Sequence, residues 1–149
     1  PFNENCLSFT MDGGLACNKL LADFTEPDLG SVRMFRVPNN WNHFLSDHII
    51  HFRVLPLSAN RTAVRTTWLV HEDAVEGVDY DIQRLTEVWT ATNDEDRQVV
   101  EENQKGILSP AYQPGPYSPT QEEGVIHFVD WYVRHMQKHL TPSPAMAAE

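Results

Sequence analysis

The chain has 149 residues, a length that suits one compact domain rather than two. Its 21 acidic residues outnumber its 11 basic residues, so the formal net charge is -10. This charge argues against nucleic acid or a membrane as the main partner, and it suits a soluble protein that meets a cationic substrate or a basic redox partner.

The N-terminal stretch, residues 6–24, is expected to form a strand. It contains both cysteines, Cys6 and Cys17, which are too few for a disulfide framework or a four-cysteine zinc site. A Rieske cluster takes two cysteines and two histidines, and neither cysteine has a histidine two or three residues downstream. The chain begins with Pro1 and has no apolar leader or membrane span. We therefore interpret it as a piece of a longer cytoplasmic polypeptide.

Two further stretches predict a β-hairpin. Residues 48–57 and 62–70 both alternate between apolar and polar side chains, and the polar sequence 58–61 between them is typical of a turn. Residues 31–38 alternate in the same way and predict another strand. The strands therefore come first in the chain.

The periodicity becomes helical after Gly77. Asp79 or Asp81 is expected to cap a helix that runs from Ile82 to about residue 103, with Gly106 ending it. Four prolines between residues 109 and 119 predict an irregular loop.

A second helix is expected from about Thr120, with an apolar stripe that includes Phe128 and Tyr132. Residues 141–149 form a Pro/Ala tail that we expect to be loose, so the predicted domain covers residues 1–140. Strands followed by helices indicate an α+β fold, in which the helices pack against one face of an antiparallel sheet.

One carboxylate of the long helix is set apart by its position. At 100° per residue, Asp96 falls within 20° of Trp89, on the apolar stripe, whereas Asp94 and Glu95 point elsewhere. A buried carboxylate is costly unless it is paired or binds a metal. The stripe alone leaves open whether Asp96 forms a buried salt bridge, accepts backbone hydrogen bonds or ligates a metal.

The sequence around Asp96 resembles a motif of Rieske-type non-haem iron oxygenase alpha subunits. In the run 93–106, Glu95-Asp96, Glu101, Gln104 and Gly106 match the spacing E-D-x-x-hydrophobic-x-E-x-x-Q-x-G. The segments 68–80, 109–118 and 129–132 also resemble this family, and in particular its glycine betaine and choline monooxygenase branch.

The resemblance implies that Asp96 is the carboxylate ligand, and hence a catalytic residue, of a mononuclear Fe(II) site completed by two histidines. It also implies a helix-grip (Bet v1-like) catalytic domain, present here in part, in which an antiparallel sheet clasps a long helix. A [2Fe-2S] Rieske cluster is expected in a missing N-terminal part, with electrons from NAD(P)H through a reductase, and with O2 and a small molecule as substrates. The family is typically a homotrimer.

The two histidine ligands are expected upstream of Pro1. His43 and His48 have the right mutual spacing, but they lead into a strand and lie too close to Asp96 in sequence. His135 and His139 are four apart on the second helix, a spacing that can bind metal but is more often solvated. His71 could face the pocket.

The resemblance implies oxidation of a quaternary ammonium compound, by hydroxylation or oxidative N-demethylation, while the isolated chain is expected to be inactive. The alternatives are an aromatic-ring-hydroxylating dioxygenase subunit and a metal-free helix-grip module that binds an apolar ligand. A quaternary ammonium ion is held by aromatic faces, and the sequence assigns none of the available aromatic residues to that role. These residues are Trp41, Trp68, Trp89, Tyr112, Tyr117, Phe128, Trp131 and Tyr132.

Overall fold

A computed structural model describes residues 4–140. Four strands form one antiparallel sheet in the order β1-β2-β3-β4, and two helices follow. The strands are β1 Val32–Arg36, β2 Asn40–Phe44, β3 Ile49–Ser58 and β4 Arg61–Leu69, and the helices are α1 Ile82–Ile107 and α2 Glu123–Leu140. The predicted α+β fold is confirmed.

The predicted hairpin is confirmed as β3 and β4. Ile50 pairs with Trp68 and Phe52 pairs with Thr66, so these four side chains lie on one face of the sheet. This inner face holds the core, in which Leu45, Ile50 and Phe52 are buried and half-buried aromatic side chains pack around them. The opposite face is called the outer face below.

The sequence-based prediction of a strand at residues 6–24 is wrong. This stretch consists of turns and loops, and its β pairing is limited to an isolated bridge between Cys17 and Tyr80. Side-chain bonds hold the loop: the Thr10 hydroxyl donates to the Gly14 carbonyl at 2.7 Å, and the Gly14 N–H donates to Asp12 Oδ1 at 2.9 Å. Such local bonds compete with strand pairing.

Strand β2 was not predicted. It carries Asn40 and Asn42, a residue type depleted in strands, and these alternate with Trp41 and His43 on the inner face. Its neighbours on both sides supply the pairing that its own composition disfavours.

Helix α1 begins where predicted and ends later. The Asp81 side chain accepts from the Arg84 N–H at 3.0 Å and caps the N-terminus. The helix continues through Gly106 to Ile107, so the prediction that Gly106 ends it is wrong. Pro110 disfavours helical backbone at Ser109, which explains why the helix ends at Ile107, shortly before that residue.

Helix α2 starts three residues after the predicted position, and none of its residues is buried.

The chain divides into two compact units between Tyr112 and Gln113, with α1 in the first and α2 in the second. The single domain over residues 1–140 stays a prediction, and the expected loose tail 141–149 lies outside the described residues. Neither helix in the described range is apolar enough over sufficient length to cross a bilayer.

Candidate functional site

The start of α1 is fixed to the N-terminal loop by Arg84. Its Nη2 and Nη1 atoms donate to Asp12 Oδ1 and Oδ2 at 2.7 and 3.0 Å, and its Nε donates to the Leu15 carbonyl at 2.9 Å. The bidentate hydrogen bonds from Arg84 hold the pKa of Asp12 well below its usual range. This contact ties the first turn of α1 to the N-terminal loop.

Trp89, two turns along α1, packs on the inner face of the sheet. Its ring lies 4.7 Å from the His43 ring, 4.9 Å from Phe52 and 5.8 Å from Phe9, measured between centroids. One turn further, Asn93 Nδ2 donates to Thr66 Oγ1 of β4 at 3.1 Å. These two side chains define the side of α1 that faces the sheet.

Asp96 lies on this same side of α1, because it is three residues after Asn93 and seven after Trp89. Its carboxylate is exposed and makes no hydrogen bond or ion pair with any residue in the range 4–140. Asp94, by contrast, forms an ion pair with Arg97 Nη2 at 3.3 Å. Asp96 is therefore the uncommitted carboxylate on the sheet-facing side.

The expected burial of Asp96 is wrong for this chain. The first half of the apolar stripe is covered, with Leu85 4% exposed, but Val100 is 61% exposed. Every residue of α1 from Asp94 onward is exposed, whereas the helix contacts the sheet through Trp89 and Asn93, in its first half. The stripe is therefore present, but the described chain covers only its first half. The role of Asp96 as an iron ligand stays a prediction.

A buried polar cluster lies beside the core. Asp47 and His48 are both fully buried, and His48 Nδ1 lies 2.9 Å from Asp47 Oδ1. The Ser8 hydroxyl donates to Asp47 at 2.8 Å, and the Ala16 N–H donates to it at 2.7 Å. The carboxylate thus ties the N-terminal loop to the segment between β2 and β3.

The charge of Asp47 is stabilised inside the protein. Burial alone would raise the pKa of this carboxyl, but the hydrogen bond and charge of His48, with the Ala16 N–H and the Ser8 hydroxyl, lower the pKa below its ordinary value. Sequence analysis missed this cluster. The only signal was a polar pair, Asp47-His48, set directly before the apolar Ile49-Ile50.

The remaining histidines have other surroundings. His43 lies in β2 within the aromatic cluster, where burial, and then the charge of Arg33, lower its pKa. His135 and His139 are exposed on α2 with ring centroids 4.6 Å apart. The half-buried His71 accepts at Nδ1 from the Asp73 N–H at 3.1 Å, and its orientation towards a substrate pocket stays a prediction.

The described residues fit one ligand of an iron site. Among residues 4–140, no group of three or more His, Cys, Asp or Glu side chains is arranged to hold a metal ion. A facial iron site of the kind implied takes one carboxylate and two imidazoles. Asp96 has the chemistry and the freedom to be that carboxylate, and the position of the two imidazoles upstream of Pro1 stays a prediction.

Comparison with known proteins gives consistent results. Residues 2–138 match the family described as ring hydroxylating alpha subunit, catalytic domain. The chain is 56% identical over 140 residues to glycine betaine monooxygenase oxygenase subunits of Pseudomonas aeruginosa and Chromohalobacter salexigens. The match covers 94% of this chain and 33% and 32% of those two proteins, so the chain spans about a third of their length.

The family match covers nearly the whole chain, and it includes the α1 segment with the Asp96 motif. The order of strands and helices agrees with it. This chain therefore belongs to the ring-hydroxylating alpha subunit family and forms part of its catalytic domain.

Proposed function

We propose that this chain is part of a Rieske-type iron oxygenase that oxidises a quaternary ammonium compound. The proposed substrate is glycine betaine. The observation that carries the proposal is the 56% identity to glycine betaine monooxygenase oxygenase subunits over 94% of the chain. The matched region covers 94% of the chain and therefore includes most of helix α1. The activity belongs to the full-length protein, of which this chain supplies one part.

Asp96 is the proposed carboxylate ligand of a mononuclear Fe(II). Its support is that Asp96 is unpaired on the sheet-facing side of α1, whereas Asp94 is held by Arg97. The iron supplies O2 activation when it is bound. The part of Asp96 is to offset one positive charge of the metal and to occupy one coordination position.

The two histidine ligands and the [2Fe-2S] Rieske cluster are proposed to lie in the part of the protein that this chain does not contain. The exposed second half of α1 supports this, since the adjacent side chains Val99 and Val100 are 65% and 61% exposed and contiguous exposed apolar surface marks a contact site. A segment that covers this half would lie next to Asp96. The two histidine ligands are proposed to lie on such a segment.

The proposed overall reaction removes one methyl group from the substrate. One oxygen atom of O2 is inserted into a methyl C–H bond and the other is reduced to water by two electrons and two protons. The hydroxymethyl group then loses its hydroxyl proton and leaves as formaldehyde. The nitrogen keeps the electron pair of the broken C–N bond, so the product is a tertiary amine. The electrons come from NAD(P)H through a separate reductase, and the oxygenase is proposed to be a cytoplasmic homotrimer.

The test is an assay of the full-length protein with its reductase, NAD(P)H and glycine betaine. The proposal predicts one formaldehyde released for each betaine consumed, with O2 uptake in the same ratio. Choline and carnitine serve as alternative cations, and naphthalene serves as an uncharged aromatic substrate. If the enzyme oxidises naphthalene and leaves all three cations unchanged, the proposed substrate class is wrong. The assignment to the oxygenase family would still hold.

A further inference from the structure

Side-chain contacts attach α1 to the rest of the chain at several points along its length. Asp81 and Arg84 hold the first turn, and Trp89 packs on the aromatic core. Of the hydrogen bonds that join α1 to the sheet within residues 4–140, the one nearest to the far end of the helix runs from Asn93 Nδ2 to Thr66 Oγ1 at 3.1 Å. Both partners are half-buried and both belong to this chain, so the bond does not depend on a free surface.

The position of the Asp96 carboxylate depends on how firmly α1 is held close to it. Because a helix rises about 1.5 Å per residue, Asp96 lies roughly 18 Å along the axis from Arg84 and roughly 10 Å from Trp89. Asn93 is only about 4.5 Å away on the same scale. A small tilt at the start of the helix therefore becomes a larger displacement at Asp96 unless a nearer contact limits it.

Rotation of α1 about its axis displaces the same carboxylate. A side-chain group about 6 Å from the helix axis moves by roughly 2 Å when the helix turns by about 20°. The groups of a functional site must be held to within about 0.5 Å of their working geometry. A carboxylate that ligates a metal therefore needs a helix whose rotation is fixed within a few degrees.

The hydrogen bond from Asn93 to Thr66 limits this rotation more strictly than the packing of Trp89 does. Burial of an apolar ring stabilises the helix on the sheet but is non-directional. A hydrogen bond weakens steeply when its length or angle departs from the preferred geometry. The bond therefore fixes both the rotation of α1 and its position along β4, one turn before Asp96.

The residue type at position 93 supports a specific role for this bond. Asparagine is a poor helix former, because its side chain competes for backbone hydrogen bonds, yet Asn93 lies in the interior of a helix of 26 residues. Alanine or leucine would favour the helix more and would still fill a half-buried contact. Departures from local propensity of this kind concentrate at functional sites.

We propose that Asn93, through its hydrogen bond to Thr66, is a positioning residue for the Asp96 carboxylate. Asn93 acts through the backbone of α1 rather than by binding the metal itself, and it makes β4 the fixed element against which the ligand is placed. This inference rests on the proposed function, because Asp96 needs a fixed position only if it ligates the iron.

The test uses variants of the full-length oxygenase. Thr66→Val removes the acceptor hydroxyl with little change of shape, Asn93→Ala removes the donor, and Thr66→Ser keeps the hydroxyl. The matched control is Thr67→Val, because Thr67 is the next residue of β4, is also half-buried and lies on the outer face. Thermal unfolding shows that each variant keeps its fold.

Two readouts need no turnover. The rate at which a chelator removes the mononuclear iron reports how well the ligand set holds the metal. The electron paramagnetic resonance spectrum of the ferrous protein treated with nitric oxide reports the geometry of the ligands, with the Rieske cluster kept oxidised so that it adds no signal. A general loss of stability would not change this spectrum in the fraction of protein that keeps its iron.

The proposal predicts that Thr66→Val and Asn93→Ala lose iron about 10- to 100-fold faster than wild type, the range typical of changes in groups that orient a metal ligand. Both variants should also show an altered spectrum. Thr66→Ser and Thr67→Val should stay within about twofold of wild type. The double variant Asn93→Ala/Thr66→Val should lose iron no faster than the single variants, because all three lack the same bond.

An unchanged rate and spectrum in Thr66→Val would overturn the proposal, and so would an equal effect in Thr67→Val. Asp96→Ala, measured beside them, separates this inference from the proposed function. If Asp96→Ala loses its iron while Thr66→Val keeps it with an unchanged spectrum, the ligand assignment stands and only the positioning role fails. If Asp96→Ala keeps its iron, the ligand assignment fails and the positioning role fails with it.

Discussion

Asp94 and Asp96 lie two residues apart on α1, and only Asp94 is neutralised within the described chain, by Arg97 at 3.3 Å. Two residues on a helix differ by about 200°, so the two carboxylates point to different sides. Asp96 shares its side with Trp89 and Asn93, which contact the sheet. The position on the helix therefore distinguishes Asp94, which forms a surface ion pair, from Asp96, whose carboxylate is free to bind a metal.

The packing of Trp89 predicts how α1 is held. Trp89→Ala should lower the free energy of unfolding of this chain by about 2–4 kcal/mol, because the ring contacts Phe9, His43 and Phe52. Val99→Ala should change it by less than about 0.5 kcal/mol, since Val99 is 65% exposed. Urea unfolding followed by tryptophan fluorescence and circular dichroism measures both. Equal losses would contradict the conclusion that only the first half of α1 is packed.

The buried Asp47 predicts a defined loss of stability in acid. Its pKa is lowered on folding, so its stabilising contribution is present above the unfolded value of about 4 and disappears as the pH falls through the folded value. Asp47→Asn should therefore cost about 1–3 kcal/mol at pH 7 and progressively less below pH 4. Asp23→Asn, at an exposed position, is the control and should show no such trend. A difference between wild type and Asp47→Asn that grows in acid would contradict this account.

This chain alone should bind Fe(II) weakly, because one carboxylate cannot replace a complete ligand set. Isothermal titration of anaerobic Fe(II) into the purified chain measures this, with Asp96→Ala as the control for any residual binding. Tight binding with one iron per chain, lost on His43→Ala or His48→Ala, would make these histidines ligands and contradict their structural role in the core.

The parts of the fold that sequence could predict are those whose pattern is local. The β3–β4 hairpin and the Asp81 cap follow from alternation and capping chemistry within a few residues. Strand β2 could not be predicted, because Asn40 and Asn42 disfavour strands and only pairing with both neighbours overrides this. The predicted end of α1 was wrong because the helix tolerates Gly106. The helix ends instead shortly before Pro110, which disfavours helical backbone at the preceding residue.

The candidate site could also be predicted from sequence only where the pattern is local. The helical angle of Asp96 relative to Trp89 could be read from sequence, but its burial depends on what covers the second half of α1, and the described chain does not supply that cover. The Asp47–His48–Ser8 cluster could not be predicted, because Ser8 and Asp47 are 39 residues apart and their contact arises only from the path of an irregular loop. The alignment of Arg36, Arg53 and Arg65 on the outer face depends on strand register, which composition does not reveal.

The iron content of the full-length oxygenase tests the central claim most directly. Asp96→Ala and Asp94→Ala are purified anaerobically beside wild type, and iron is measured by mass spectrometry together with the Rieske absorbance, which corrects for the cluster. Loss of Asp96 should reduce mononuclear iron to below about a tenth of the wild-type content, since losing a direct ligand costs more than the 10- to 100-fold typical of outer-shell changes. Asp94→Ala should retain most of it. Full mononuclear iron in Asp96→Ala, or its loss in Asp94→Ala alone, would contradict the assignment of Asp96 as the ligand.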